Sequence, residues 1–88
     1  MTKTQEVYKS AVIGCGRIGC EFNDSPNPKY GIMTHSQAYS LNKRTKLIAL
    51  VDVDEKKVKK YSQKYDVKDY LDWRVMLEKE NPDILSIC

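Results

Sequence analysis

Apolar residues fall along this chain in three short runs separated by two helical stripes. The first run, Ala11-Val12-Ile13, closes the stretch 8–13 and stops at a glycine, which suits a strand buried in a parallel sheet. The second lies in residues 46–53 (Lys-Leu-Ile-Ala-Leu-Val-Asp-Val). It is aliphatic, rich in β-branched residues and too short for a free-standing helix, so it predicts a second strand. Residues 84–88 (Ile-Leu-Ser-Ile-Cys) follow a Pro82-Asp83 turn signal and predict a third.

Between the runs the period changes to that of a helix. Asp54 is placed to cap a helix over 55–65, with Glu55 in its first turn and Val58, Tyr61 and Tyr65 along one face. Asp72 is placed to cap a shorter helix that turns Trp73, Met76 and Leu77 inward and stops at Asn81-Pro82. Residues 22–33 hold Asn23, Asp24, Ser25, Pro26, Asn27, Pro28 and Gly31, a set that cannot continue a helix, and predict a loop. Helix resumes at Thr34-His35-Ser36-Gln37, a capping-box pattern, with Ala38 and Leu41 as its apolar stripe. Strand, helix, strand, helices, strand is the alternation of a parallel sheet with right-handed crossovers.

Composition narrows the class without changing this picture. The chain has 88 residues, 41% hydrophobic and 31% charged, the balance of a single small globular domain. No apolar run approaches the ~20 residues of a spanning helix. The first ten residues lack the apolar stretch of a secretory signal, so a cytoplasmic protein without membrane contact is expected. Cys15, Cys20 and Cys88 form no C-x-x-C pair and suit neither a disulfide scaffold nor a metal site. The charge of +3 owes most to Lys56, Lys57, Lys59 and Lys60, which read as a solvated helix face. No aromatic interleaving or recognition-helix motif accompanies them, so no nucleic-acid partner is expected.

Chemistry concentrates where the first strand ends, at Gly14-Cys15-Gly16-Arg17-Ile18-Gly19. A G-x-G-x-x-G string alone says little, but between a strand and a helix each glycine has a task. Gly14 makes a turn too tight for a side chain. Gly16 lets a pyrophosphate reach backbone N–H groups at a helix N-terminus, and Gly19 lets helix and strand pack closely. The acid that completes such a site is Asp52, at the end of the second strand, placed to accept from the adenosine ribose hydroxyls. It lies 33 residues after Gly19, and 21 once residues 22–33 are set aside, against the usual ≈ 20. Asp52 and Asp54 would repel a 2′-phosphate, which favours NAD over NADP as cofactor. Lys43, Arg44 and Lys56 leave NADP open, and a plain strand-end role for Asp52 is the bland alternative. The fold class these features define is α/β and Rossmann-like. It is the first half of a doubly wound parallel sheet (βαβαβ) truncated in the third strand, with strand order 3-2-1.

Five segments resemble the N-terminal domain of the glucose–fructose oxidoreductase and inositol dehydrogenase (Gfo/Idh/MocA) family across nearly the whole chain. They are residues 11–19, 35–39 and 47–54, Tyr70-Leu71-Asp72-Trp73 with Leu77, and residues 82–88. The resemblance implies an NAD(P)-dependent oxidoreductase acting on a sugar or cyclitol hydroxyl. In that family a Thr-Pro pair after the third strand, a Glu-Lys-Pro segment carrying a catalytic lysine and a substrate-domain histidine do the chemistry. None of these is in the sequence, so residues 1–88 are expected to be a partial NAD(P)-binding domain, without the C-terminal substrate domain, inactive alone and with no catalytic residue. His35 matches a position in the family's first helix and is not expected to do acid–base work. Two successive right-handed crossovers in strand order 3-2-1 put their helices on one side of the sheet, leaving the other bare and prone to self-association. A stand-alone, non-catalytic dinucleotide-binding module and an S-adenosylmethionine-binding protein are the alternatives.

Overall fold

The computed structural model describes residues 7–16 and 34–88. Its elements run β1 (Tyr8–Ile13), α1 (His35–Leu41), β2 (Thr45–Val51), α2 (Glu55–Tyr65), β3 (Lys68–Tyr70), α3 (Trp73–Glu80) and β4 (Ile84–Ile87). The four strands form one parallel sheet in the order β3-β2-β1-β4. The Rossmann-like class expected from the sequence is therefore present, with one strand more than expected.

That strand, β3, corrects the topology. Lys68-Asp69-Tyr70 has two exposed residues and one half-buried, so it has no apolar run to betray it. Because β3 takes the place beside β2, the segment read as the third strand becomes β4 and pairs with the other side of β1, Ala11 opposite Leu85 and Ile13 opposite Ile87. The order is not 3-2-1 with an empty flank. The connection from β3 to β4 must also cross the sheet, and a right-handed crossover in that reversed direction lays its helix on the opposite face.

The two faces are consequently both covered. On one, Val58 and Tyr61 of α2 pack over Val12, Leu47 and Leu50, with Tyr39 of α1 against them. On the other, Met76 of α3 packs over Ala11, Ala49 and Val51, with Leu77 and Leu85 alongside. The expectation of a bare sheet face is overturned by α3. A bulge in β2 makes this partition possible: Ser10 pairs with Leu47 but Ala11 with Ala49, so Ile48 is extra and Leu47 and Leu50 share a face. The buried Ser10 hydroxyl donates to the Lys46 carbonyl at 2.9 Å beside the irregularity.

Helix α2 follows its pattern. The Asp54 carboxylate accepts from the Lys57 N–H at 3.1 Å, Val58 and Tyr61 are buried, and Asp66 ends the helix in the left-handed region at φ 54°. Its lysines stay at the surface, Lys59 paired with Glu55 at 3.0 Å and Lys60 over the Tyr61 ring. Helix α1 starts as expected, with the Thr34 hydroxyl accepting from the Gln37 N–H at 3.2 Å, but its buried face differs. Leu41, at the last position of a seven-residue helix, is exposed and Ala38 only half-buried. Ser36 is buried instead, and Tyr39 reaches the core and hydrogen-bonds through its hydroxyl to Ser86 of β4.

Helix α3 is capped by Asp72, which accepts from the Arg74 N–H at 2.8 Å, and closes at Asn81 with φ 46°. Met76 is fully buried, but Trp73, expected to face inward, is 47% exposed. The helix begins just past the edge strand, so its first turn has no further strand beneath it among the described residues, and the Arg74 guanidinium sits over the indole at 5.3 Å.

The two ends of the β3–α3 unit are joined by the Tyr70 hydroxyl, which donates to the Glu80 carboxylate. That hydrogen bond, then burial and the nearby negative charges, push the phenol up to about 12. A phenol held neutral beyond its ordinary value near 10 adds stability that is complete below pH 10 and lost as pH rises towards 12, because the unfolded chain gives up the proton first. The difference in unfolding free energy between the wild-type chain and Tyr70→Phe should therefore be constant below pH 10 and shrink between pH 10 and 12. Urea melts of both at intervals across that window would measure it.

Candidate functional site

All four strands point the same way, so their carboxyl ends share one edge of the sheet, the edge at which open α/β sheets bind ligands. Pairing of Ile13 with Val51 and with Ile87 brings Gly14, Asp52 and Cys88 side by side. Gly14 donates to the Val51 carbonyl at 2.7 Å, Cys88 to the Ile13 carbonyl at 2.9 Å and Asp52 to the Tyr70 carbonyl at 3.1 Å. Each strand end is thereby tied to its neighbour.

Gly14 has φ 97°, outside the range that side chains accept, and a Cβ there would lie 2.6 Å from the Cys88 carbonyl oxygen. Its role in a tight turn, expected from the sequence, rests on both grounds. Gly16 is different: a Cβ there would meet no described atom within 4 Å. Among the described residues nothing covers the second glycine, as a site that admits a phosphate to the backbone requires.

Between the two glycines, Cys15 turns its side chain down into the core with Val12, Leu50 and Val58, fully buried. The buried thiol is thus a packing group, and it is the backbone of Cys15 that faces the site. Its N–H donates to Asp52 Oδ2 at 2.8 Å, while Asp52 Oδ1 accepts from the Asp54 N–H at 2.9 Å. Asp52 is half-buried, and Val53 beside it is 90% exposed.

The structure therefore joins Gly14, Cys15, Gly16 and Asp52 in one cluster. Arg17, Ile18, Gly19 and the expected loop over residues 22–33 lie outside the described residues. His35, exposed at the start of α1, belongs to a different element from this cluster. Asp54 is committed to capping α2 and Asp52 to the glycine turn, so the two acids divide the work rather than compete for it. The direct bond between turn and acid is the feature that motif reading missed. It follows from register alone, since residues that come just after paired strand ends must be neighbours. Among the described residues no three His, Cys, Asp or Glu side chains gather as a metal site would need.

Four parallel strands with a glycine turn and an acid joined at their carboxyl edge define a Rossmann-type nucleotide-binding domain. The chain belongs to the Gfo/Idh/MocA family, whose model, described as an oxidoreductase family with an NAD-binding Rossmann fold, matches residues 8–88. No curated protein matches the chain significantly. Among solved structures it is similar to myo-inositol 2-dehydrogenase from Lactobacillus plantarum, with 20% identity, a TM-score of 0.70 and coverage of 93% of this chain and 21% of that one. The WlbA dehydrogenase from Bordetella pertussis, solved with NADH and UDP-GlcNAcA, is 20% identical with a TM-score of 0.69, over 96% of this chain and 21% of that one. Apo scyllo-inositol dehydrogenase from Lactobacillus casei is 20% identical with a TM-score of 0.71, over 97% and 22%. The chain thus spans about a fifth of the length of these structures. Among its described residues no helix is long and apolar enough to cross a membrane.

Proposed function

We propose that this NAD-binding domain grips the adenosine and pyrophosphate of NAD through Gly14, Cys15, Gly16, Arg17, Ile18, Gly19 and Asp52, and serves an oxidoreductase that acts on a sugar or cyclitol CH–OH group. The observation that carries the reading is the 2.8 Å hydrogen bond from the Cys15 N–H to Asp52, which makes one site of the turn and the acid. The absence of any described atom over Gly16 suits the pyrophosphate, and the spare lone pairs of Asp52 suit the ribose hydroxyls. A bound dinucleotide would supply hydride-transfer chemistry at its nicotinamide. The residues proposed here bind and orient the dinucleotide and move no proton.

Asp52 and Asp54 favour NAD over NADP, since a 2′-phosphate would meet two carboxylates and among the described residues no cation is bonded to either. The sugar or cyclitol class is supported by the family and by the inositol and UDP-sugar names of its structural relatives. In this reading residues 1–88 work in the cytoplasm with a separate substrate domain that brings the catalytic groups, and are inactive without it. Self-association, once the bare face is discounted, rests on the β4 edge. Among described strands β4 pairs only with β1, and its Ile87 is 76% exposed.

Titration of the chain with NAD, NADP and S-adenosylmethionine, followed by amide shifts in an NMR spectrum, tests the reading. NAD should bind at least about tenfold more tightly than NADP, one strong charge repulsion's worth, and move the Gly14, Gly16 and Asp52 amides. Binding of S-adenosylmethionine alone would end it.

A further inference from the structure

We infer that Asp52 is a positioning residue for the pyrophosphate as well as an acceptor for the ribose: in the ligand-free chain its carboxylate holds the glycine turn in the form that receives phosphate. The inference rests on the dinucleotide reading above and adds a second duty to one of its residues.

The turn needs such a fastening. Gly14 and Gly16 lack the side chains that confine a backbone, so the segment has more conformations open to it than any other three residues at this edge. Among the interactions of the described residues, three restrain it. The Gly14 N–H is held by the Val51 carbonyl, the Cys15 side chain is sunk in the core, and the Cys15 N–H is held by Asp52 Oδ2. Only the last sets the direction of the peptide between Gly14 and Cys15, and it is charge-assisted, hence the strong one. Asp52 is itself fixed: its own N–H bonds to Tyr70, and Oδ1 accepts from Asp54, the cap of α2. The carboxylate therefore transmits the position of two strand ends, β2 and β3, and of the start of α2 to the turn.

The acceptor count leaves room for both duties. A carboxylate offers about four lone-pair sites. Two are taken by the Cys15 and Asp54 N–H groups, and two remain for the two hydroxyls of a ribose. An asparagine cannot substitute. Its NH2 group must face one of those two N–H donors whichever way the amide is turned.

The test compares the wild-type chain with Asp52→Asn and Asp52→Ser, by amide hydrogen exchange without ligand and by titration with inorganic pyrophosphate. Asp52→Ser, which removes both carboxylate oxygens, should speed exchange at Cys15 about tenfold, and Asp52→Asn should speed it at Cys15 or at Asp54, while Val12 and Leu50 in the strands keep their wild-type rates. Pyrophosphate affinity should fall about threefold or more, although removing a negative charge would by Coulomb's law raise it. A residue that serves the ribose alone leaves exchange at Cys15 unchanged in Asp52→Ser and pyrophosphate binding unchanged or tighter; either result overturns the inference. So does failure of both variants to fold, since the carboxylate would then be holding the sheet and not the turn. If the wild-type chain takes up no NAD, the functional reading fails, while the exchange rates still decide whether Asp52 holds the turn.

Discussion

Replacing Gly14 by alanine is expected to destabilise the chain by about 3 kcal/mol or more. Two costs add. At φ 97° the backbone lies beyond the left-handed well, where even a well-placed L-residue loses roughly 1–2 kcal/mol. The new Cβ would also stand 2.6 Å from the Cys88 carbonyl oxygen, a backbone atom that must shift. It is part of the backbone that leaves β4, held to β1 by the bond from the Cys88 N–H to Ile13. Relief of the clash must therefore open the end of the β1–β4 pair or twist the turn away from Asp52. A domain of this size has about 5 kcal/mol of stability to lose, so a large share of the molecules should be unfolded in mild denaturant. Gly16→Ala is the informative partner: its Cβ meets no described atom within 4 Å and its φ is not positive, so its unfolding free energy from urea melts should stay within about 0.5 kcal/mol of wild type while NAD binding weakens. Equal midpoints for wild type and Gly14→Ala would show that the turn is not built as described.

What the sequence made legible was whatever rests on local chemistry. Asp54 with Val58, Tyr61 and Tyr65 at helical spacing defines α2 to the residue, because cap and stripe agree and one partner face suffices to bury it. The glycine turn and Asp52 are legible for a related reason, since a strand that stops at glycine and another that stops at an acid must bring the two together once they pair in parallel. Features decided by distant partners were not legible. Three residues of β3, with Tyr70 alone half-buried, have no period to read, and missing them moved a strand and a helix to the wrong side of β1. The inward face of α1 was assigned to Ala38 and Leu41 by hydropathy, whereas Tyr39 and Ser36 take it, Tyr39 because its hydroxyl finds Ser86 across the sheet. The bulge at Ile48 is equally silent in a run that is aliphatic throughout.

The second large effect concerns the helix that the sequence placed on the wrong face. Hydropathy and size make Trp73 the natural anchor of α3, yet it is 47% exposed, while Met76 is fully buried. Beneath Met76 lie Ala11, Ala49 and Val51, small residues that a long, flexible side chain can fill in around but that cannot themselves close the space it leaves. Met76→Ala should therefore create a cavity and cost about 2–5 kcal/mol, and Met76→Leu, which nearly conserves volume, less than about 1.5 kcal/mol. Trp73→Ala removes a half-exposed ring with Arg74 over it at 5.3 Å and should cost no more than about 1 kcal/mol. Met76 is the described residue of α3 buried against β1 and β2, so its loss should loosen the crossover from β3 to β4 and expose the face that α3 shields. Urea melts of the three variants read the order directly. If Trp73→Ala proved the costlier change, the helix would have to pack through its first turn, and the reversed crossover that puts β4 beside β1 would lose its support.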